Sequence, residues 1–364
     1  MSELEKDFKN RIEFYSGDNR RAEDIVGGHT SKVFVRLNDD SDEFLMRKEK
    51  EQGLKSKKLT SCFFQRKMPK NSCFFEHLFY ALMKKNCHYI TYLNDLYESK
   101  KLNIPSHISC LIKKASSMEE GGVYGECYGS RLANAFEVDT VYNVPYSSKY
   151  DLDNVRYFSP FDMKKDIYDY MISVDFVSHG ERIETFEDLG LDFSDSTFLE
   201  DIIAKIDKTF EALVGRENLS LDYIQLEQLK KDFAKLYLFR NFVCNDKDFK
   251  SKNAGLIISE NGDFRLAPCF DMELFFQGGF EEFYFKFMAE RTLEYLNKNM
   301  PGVIEDFLKT ANKVLKSNAI DSIFQDTLFD PLQKHFAWSQ DVKRNIQLFE
   351  CCYNEYKNNY EMGG

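Results

Sequence analysis

The residues best placed to do chemistry lie between Asn245 and Phe276, in NDKDFKSKNAGLIISENGDFRLAPCFDMELFF. Asp248 and Asn253 form an acid-x-x-x-x-amide pair with Lys252 beside the amide. A short apolar run (Ala254 to Ile258), a turn at Asn261-Gly262 and a second extended run lead to Pro268 and Asp271. This pattern predicts a loop, a β-hairpin with a tight Asn-Gly connection, and an acid just past the hairpin. Two acids and an amide converging at one end of a hairpin suit phosphoryl transfer from ATP. One carboxylate can take the proton of an acceptor hydroxyl, while an amide and a second carboxylate hold Mg²⁺ against the phosphates.

Such a loop needs rigid elements to hold it. In LEQLKKDFAKLYLFRNFV the residues Leu226, Leu229, Phe233, Leu236 and Tyr237 recur at three- and four-residue steps, which predicts a helix with a buried face leading directly into Asp248. FLEDIIAKIDKTFEALV has the same character. Further upstream, ISCLIKKAS reads as a short strand ending in Lys113 and Lys114, which point to opposite faces. GGVYGECYGSRLANAFEVD follows as a helix, with Tyr128, Leu132, Ala135 and Phe136 on one face and Glu126 in its first turn. A strand lysine paired with a helix glutamate orients ATP phosphates in kinases. A second pair of this kind, Lys48 and Glu76, can be drawn from EFLMRKE and SCFFEHLFYALMKK. Residues 1–26 read as a polar helix or arm, and Gly27, Gly28, Thr30, Ser31 and Lys32 open the strand VFVRL. Two glycines beside hydroxyls at a strand start can bring backbone N–H groups to a phosphate. TVYNVPY reads as a strand and YMISVDFVSHGERI as the next one.

DFKSKN followed by LAPCFD resembles the D-x-H-x-K-N … L-x-P-x-[YF]-D signature of the HipA-like serine/threonine kinases, including the hairpin between the two halves. The resemblance implies Asp248 as catalytic base, Lys252 as its basic neighbour, and Asn253 and Asp271 as Mg²⁺ ligands. Lys250 stands where the family has His. The segment from ISCLIKKAS through GECYGSRLA is similar to the family's I-x-K … G-E-x-x-x-S-x-L-A, which implies Lys113 as the nucleotide lysine, with Lys114 as its rival, and Glu126 as its partner. GGHTSK is similar in kind to the family's small-residue loop, implying nucleotide contacts from Gly27, Gly28, Ser31 and Lys32. The segment around Asp175 and Phe176 would be the hinge that offers backbone groups to adenine.

Composition bounds the rest. The chain has 364 residues, 43% hydrophobic and 30% charged, which are the proportions of a globular protein. No apolar run approaches the roughly 18–20 residues of a membrane span, and the charged N-terminus lacks a signal-peptide core. Nine scattered cysteines without C-x-x-C point to a reducing compartment. A net charge of −11 argues against nonspecific nucleic-acid binding. The six histidines stand singly without zinc-site spacing, and neither a G-x-S-x-G elbow nor a Walker A sequence is present.

The expected architecture is α+β: a two-lobed protein-kinase-like fold. Residues 1–180 would form a small β-rich lobe with a helical insertion at 55–105, and residues 181–364 a helical lobe carrying the catalytic loop and the hairpin. The implied activity is transfer of the γ-phosphoryl group of ATP, with Mg²⁺, to a Ser or Thr hydroxyl of a protein. By family resemblance the acceptor would be a translation factor or an aminoacyl-tRNA synthetase, in a toxin–antitoxin setting with an antitoxin-type partner. Autophosphorylation would fall at Thr30 or Ser31. A cytoplasmic location, or delivery into a host cytosol, fits this reading. A lipid acceptor and a catalytically silent interaction module are the alternatives, since a fold does not fix its substrate.

Overall fold

A computed structural model describes residues 12–14, 32–37, 109–114, 122–141, 143–146, 170–174, 176–177, 181–193, 198–214, 223–246, 248–259, 261–272, 275–276, 281–325 and 336–363. Gly27, Gly28, Thr30, Ser31, Lys48, Glu76, Asp175 and the expected insertion at 55–105 lie outside these residues. The chain divides into two compact units, Met1–Val123 with Thr140–Phe176, and Tyr124–Asp139 with Val177–Gly364. The described residues are mixed α and β, mostly helical.

In the first unit the β-branched and aromatic runs pair into a five-stranded antiparallel sheet of order β1-β2-β3-β5-β4. Its strands are β1 (Ile12–Phe14), β2 (Lys32–Leu37), β3 (Ser109–Lys114), β4 (Asn143–Tyr146) and β5 (Tyr170–Val174). β1 falls inside the segment whose composition suggests a polar helix or arm. Pairing with β2 makes Ile12–Phe14 a strand, a tertiary contact that local pattern does not report.

In the second unit β6 (Glu181–Thr185), β7 (Gly255–Ser259) and β8 (Phe264–Leu266) form an antiparallel sheet in that order. YMISVDFVSHGERI is therefore two strands, β5 and β6, in different sheets, where its apolar pattern reads as one. Among the described residues the helices are α1 (Gly122–Ala135), α2 (Leu199–Val214), α3 (Tyr223–Leu238), α4 (Glu282–Asn299), α5 (Pro301–Lys316), α6 (Ala319–Phe324) and α7 (Trp338–Gly363). Pro301 opens α5 at a position where its missing N–H costs no helical bond.

Aromatic rings build the core of this unit. Phe242 packs on Phe349 of α7 and Phe285 of α4, with centroids 4.7 and 5.2 Å away. Phe136 lies between Phe239 and Phe307 at 5.7 and 5.8 Å. Tilted and edge-to-face geometries predominate, as the ring quadrupole favours. Helix α1 is buried on nearly every side, including Tyr124, Cys127, Tyr128 and Leu132. Gly129 permits this closeness, because a Cβ there would meet the Phe275 ring at 2.8 Å and Met272 Sδ at 2.9 Å.

Candidate active site

Helix α3 buries Leu226, Leu229, Phe233, Leu236 and Tyr237, the face its sequence period defines. It then widens into one π-helical turn, Phe239–Val243, in which Cys244 N–H donates to the Phe239 carbonyl at 3.1 Å. Amide side chains donate to two carbonyls at the edges of this turn. Asn241 Nδ2 donates to Tyr237 O at 3.0 Å, and Asn345 Nδ2, from α7, to Val243 O at 3.1 Å.

The π turn carries Arg240, whose side chain is fully buried. Its Nε donates to Asp246 Oδ2 at 2.6 Å, and its Nη1 to the carbonyls of Asn253 (2.9 Å) and Phe270 (3.1 Å). Its Nη2 donates to the Asp271 carbonyl at 3.1 Å. The guanidinium also lies 4.7 Å from the Phe249 ring centroid and 5.2 Å from that of Phe275. Burial alone would lower the Arg240 pKa, but the Asp246 charge and hydrogen bond raise it, so the group stays cationic. Burial raises the Asp246 carboxyl above its ordinary value, and Arg240 and the Asp248 amide oppose that rise.

Asp246 Oδ1 accepts the backbone N–H of Asp248 at 2.9 Å. Asp248 is partly exposed and has a partner on each carboxylate oxygen. Lys250 Nζ sits on Oδ1, and Asn253 Nδ2 donates to Oδ2 at 3.1 Å. Asn253 Nδ2 also donates to the Asp248 carbonyl at 2.7 Å. With both amide hydrogens facing oxygens, Oδ1 is the end of Asn253 left for a cation. Asp248, Lys250 and Asn253 meet because Lys250 is extended (φ −129°, ψ 167°) and the following residues, Ser251–Asn253, form a 3₁₀ turn. Extended backbone puts residues two apart on one side, so the cation on Asp248 is Lys250. Lys252 is half-buried in the same turn.

The hairpin places Asp271. Ser259 N–H donates to Asp263 O at 2.9 Å, and Gly262 between them takes φ +85°, a left-handed turn that suits glycine. Past the end of β8 at Leu266 the chain reaches Cys269, whose N–H donates to Asp139 O at 2.7 Å. Asp271 follows with φ +54°, an uncommon conformation for a non-glycine residue. One guanidinium thus ties the backbones that carry both candidate cation ligands, Asn253 and Asp271.

Lys113 stands on β3 of the first unit, opposite Lys32 of β2 and Met171 of β5. Lys114 is the register partner of Tyr170. Glu126 is buried on α1, which belongs to the second unit. Phe176 is half-buried at the end of the first unit. Sequence reasoning missed Arg240 and Asp246. The available signal was a single arginine in a run otherwise apolar but for Asn241, among Tyr237, Leu238, Phe239, Phe242 and Val243.

Among the described residues, no three or more His, Cys, Asp or Glu side chains cluster tightly enough to hold a metal ion. One carboxylate and one amide match instead the sparse protein ligation typical of Mg²⁺, whose remaining positions go to water and phosphate oxygens. The buried thiols of Cys127, Cys244 and Cys269 are raised by desolvation, Cys269 to about 12, so they remain protonated and suit packing better than nucleophilic attack. No described helix is long and apolar enough to cross a membrane.

No protein-family profile matches the sequence, and no significant match is found among curated proteins. Among solved structures, the chain is similar to the Helicobacter pylori proinflammatory kinase CtkA. That alignment has 14% identity and a TM-score of 0.45, and covers 69% of this chain and 88% of that one. It is also similar to HipA in the complex of HipA, HipB and operator DNA from the Shewanella oneidensis MR-1 toxin–antitoxin system. There the identity is 11% and the TM-score 0.43, over 68% of this chain and 60% of that one, less than two thirds of its length. At these scores the likenesses bear on neither activity nor partner.

Proposed function

We propose that this chain is an ATP-dependent kinase of the HipA-like group that phosphorylates a Ser or Thr hydroxyl of a protein, in a two-lobed kinase-like fold. The observation that carries the reading is the joining of Asp248, Lys250, Asn253 and Asp271 into one hydrogen-bonded assembly at the end of the hairpin. The DFKSKN … LAPCFD motif marks Asp248, Lys252, Asn253 and Asp271.

Asp248 is the proton acceptor in this reading. Its carboxylate takes the hydroxyl proton as the acceptor oxygen bonds to the γ-phosphorus and the bond to the ADP oxygen breaks. Lys250 orients that carboxylate, and its ammonium can turn toward the transferring phosphoryl group. Asn253 Oδ1 and the Asp271 carboxylate would hold Mg²⁺, which supplies charge neutralisation for the phosphates. The nucleotide roles that the family resemblance gives to Lys113, Glu126 and Phe176 are part of the same proposal.

The test is incubation of the full chain with Mg²⁺ and ATP, with wild type, Asp248→Ala and Asp271→Ala compared by intact mass. Gain of phosphate by wild type and by neither variant supports the reading. A second reading, a module that binds nucleotide without transfer, is favoured by one observation: Lys250 occupies Asp248 Oδ1, where the family has His. Stabilisation of wild type by Mg²⁺–ATP on heating, with no transfer to itself or to proteins of its source, would select that module. Neither transfer nor stabilisation sinks both.

A further inference from the structure

We propose that Arg240 is a positioning residue that fixes the catalytic loop and the Asp271 segment against each other. It rests on the kinase reading for what the clamp serves, and on geometry alone for the clamp itself. A guanidinium is planar, with five N–H donors in a fixed fork. Here Nε, Nη1 and Nη2 are all engaged, on acceptors from two segments: Asp246 and Asn253 in one, Phe270 and Asp271 in the other. The rings of Phe249 and Phe275, again one from each segment, pack against the guanidinium. The fork is therefore held both in its plane and across it.

The contacts reach all three residues expected to do the chemistry. Asp248 is reached through Asp246, whose second oxygen holds the Asp248 amide. Asn253 and Asp271 are reached directly at their backbone carbonyls. The Asp271 backbone is left-handed, a conformation that persists in a non-glycine residue only when its surroundings hold it there. The bond from Nη2 is such a hold. Lysine cannot replace the fork, because one ammonium is a point donor without a plane.

The test uses the full chain with Arg240→Lys, and with the double variant Arg240→Met/Asp246→Leu. The double variant guards against misfolding, since a buried ion pair replaced by apolar residues of similar volume often leaves a protein folded. Circular dichroism checks the fold, and amide hydrogen exchange is read in peptides covering 246–254, 267–272 and α5. The expected result is exchange faster by about tenfold in both 246–254 and 267–272, with α5 changed less than about twofold. Faster exchange in one segment alone, or an equal rise everywhere, overturns the assignment. Exchange needs no activity, so wild type that transfers no phosphate refutes the kinase reading while the clamp is still judged. If wild type does transfer, the Mg²⁺ concentration for half-maximal rate should rise by about tenfold or more in both variants. An unchanged Mg²⁺ requirement with a merely lower folded fraction would mark Arg240 as structural filler and overturn the positioning role.

Discussion

Lys250 touches the candidate base, so its charge state decides what the site looks like at working pH. The hydrogen bond to Asp248 raises its pKa above the ordinary 10.5, against a smaller lowering by burial. A cation with a raised folded pKa contributes stability that is fully present below its unfolded value and is lost as pH rises through the folded value. The Asp248–Lys250 tie should therefore be constant from pH 6 to 9 and fade only above 10.5. Because Lys250 is 47% exposed, solvent screening limits the pair to under about 1 kcal/mol. Lys250→Met should accordingly melt within a few degrees of wild type, with the gap constant from pH 6 to 9 and closing above 10.5. A gap that closes near pH 7 would show that the two groups are not paired in solution. At this scale spacing and the family resemblance mark Asp248, Lys252, Asn253 and Asp271 as candidates; what they do not show is the tie of Lys250 to Asp248, which depends on the extended backbone at Lys250. Arg240 is harder still to read, since its apolar neighbours mark it as unusual without showing which acid and carbonyls it meets.

The hairpin and the helix before it are the elements that bring the site together, and each depends on a local choice of residue. Gly255 begins β7 opposite Thr185 of β6. A Cβ there would fall onto the Glu184 carbonyl oxygen and within 2.8 Å of Thr185 Cα. These are backbone atoms of a paired strand and cannot swing aside. Gly255→Ala should cost about 1–3 kcal/mol or more in denaturant unfolding, in line with overpacked cores. It should also perturb Asn253, two residues away, and so lower activity further than the unfolded fraction explains. A loss below about 0.5 kcal/mol would mean that β6 and β7 sit further apart in solution. Hydrophobic period makes α2, α3, α5 and the hairpin readable in the sequence. It does not show the π turn, which differs from an α turn by one residue.

The second unit has its own core, and helix α1 is part of it although the chain reaches that helix long before residue 181. Tyr128 of α1 packs on Phe324 at 4.6 Å, and Arg131 Nη1 donates to the Ile323 carbonyl at 3.1 Å. Gly129 lies against Met272 and Phe275, just after Asp271. The buried apolar residues that α1 and the turn after it give to this unit include Tyr124, Tyr128, Leu132 and Phe136. At about 1.5–3 kcal/mol for each large buried side chain, their loss is comparable to the whole stability of a domain, about 5–15 kcal/mol. A chain cut before Glu181 follows the boundary that the sequence suggests near residue 180, and it discards this helix. The fragment 181–364 should therefore show no cooperative thermal transition and should bind a hydrophobic dye, while the full chain unfolds cooperatively. A synthetic peptide covering 122–139 should restore part of the transition, because its side chains supply the buried contacts that the fragment lacks. If the fragment alone unfolds cooperatively within about 5 °C of the full chain, α1 contributes far less than its burial implies. The Asp271 segment would then be held by the hairpin and Arg240 alone.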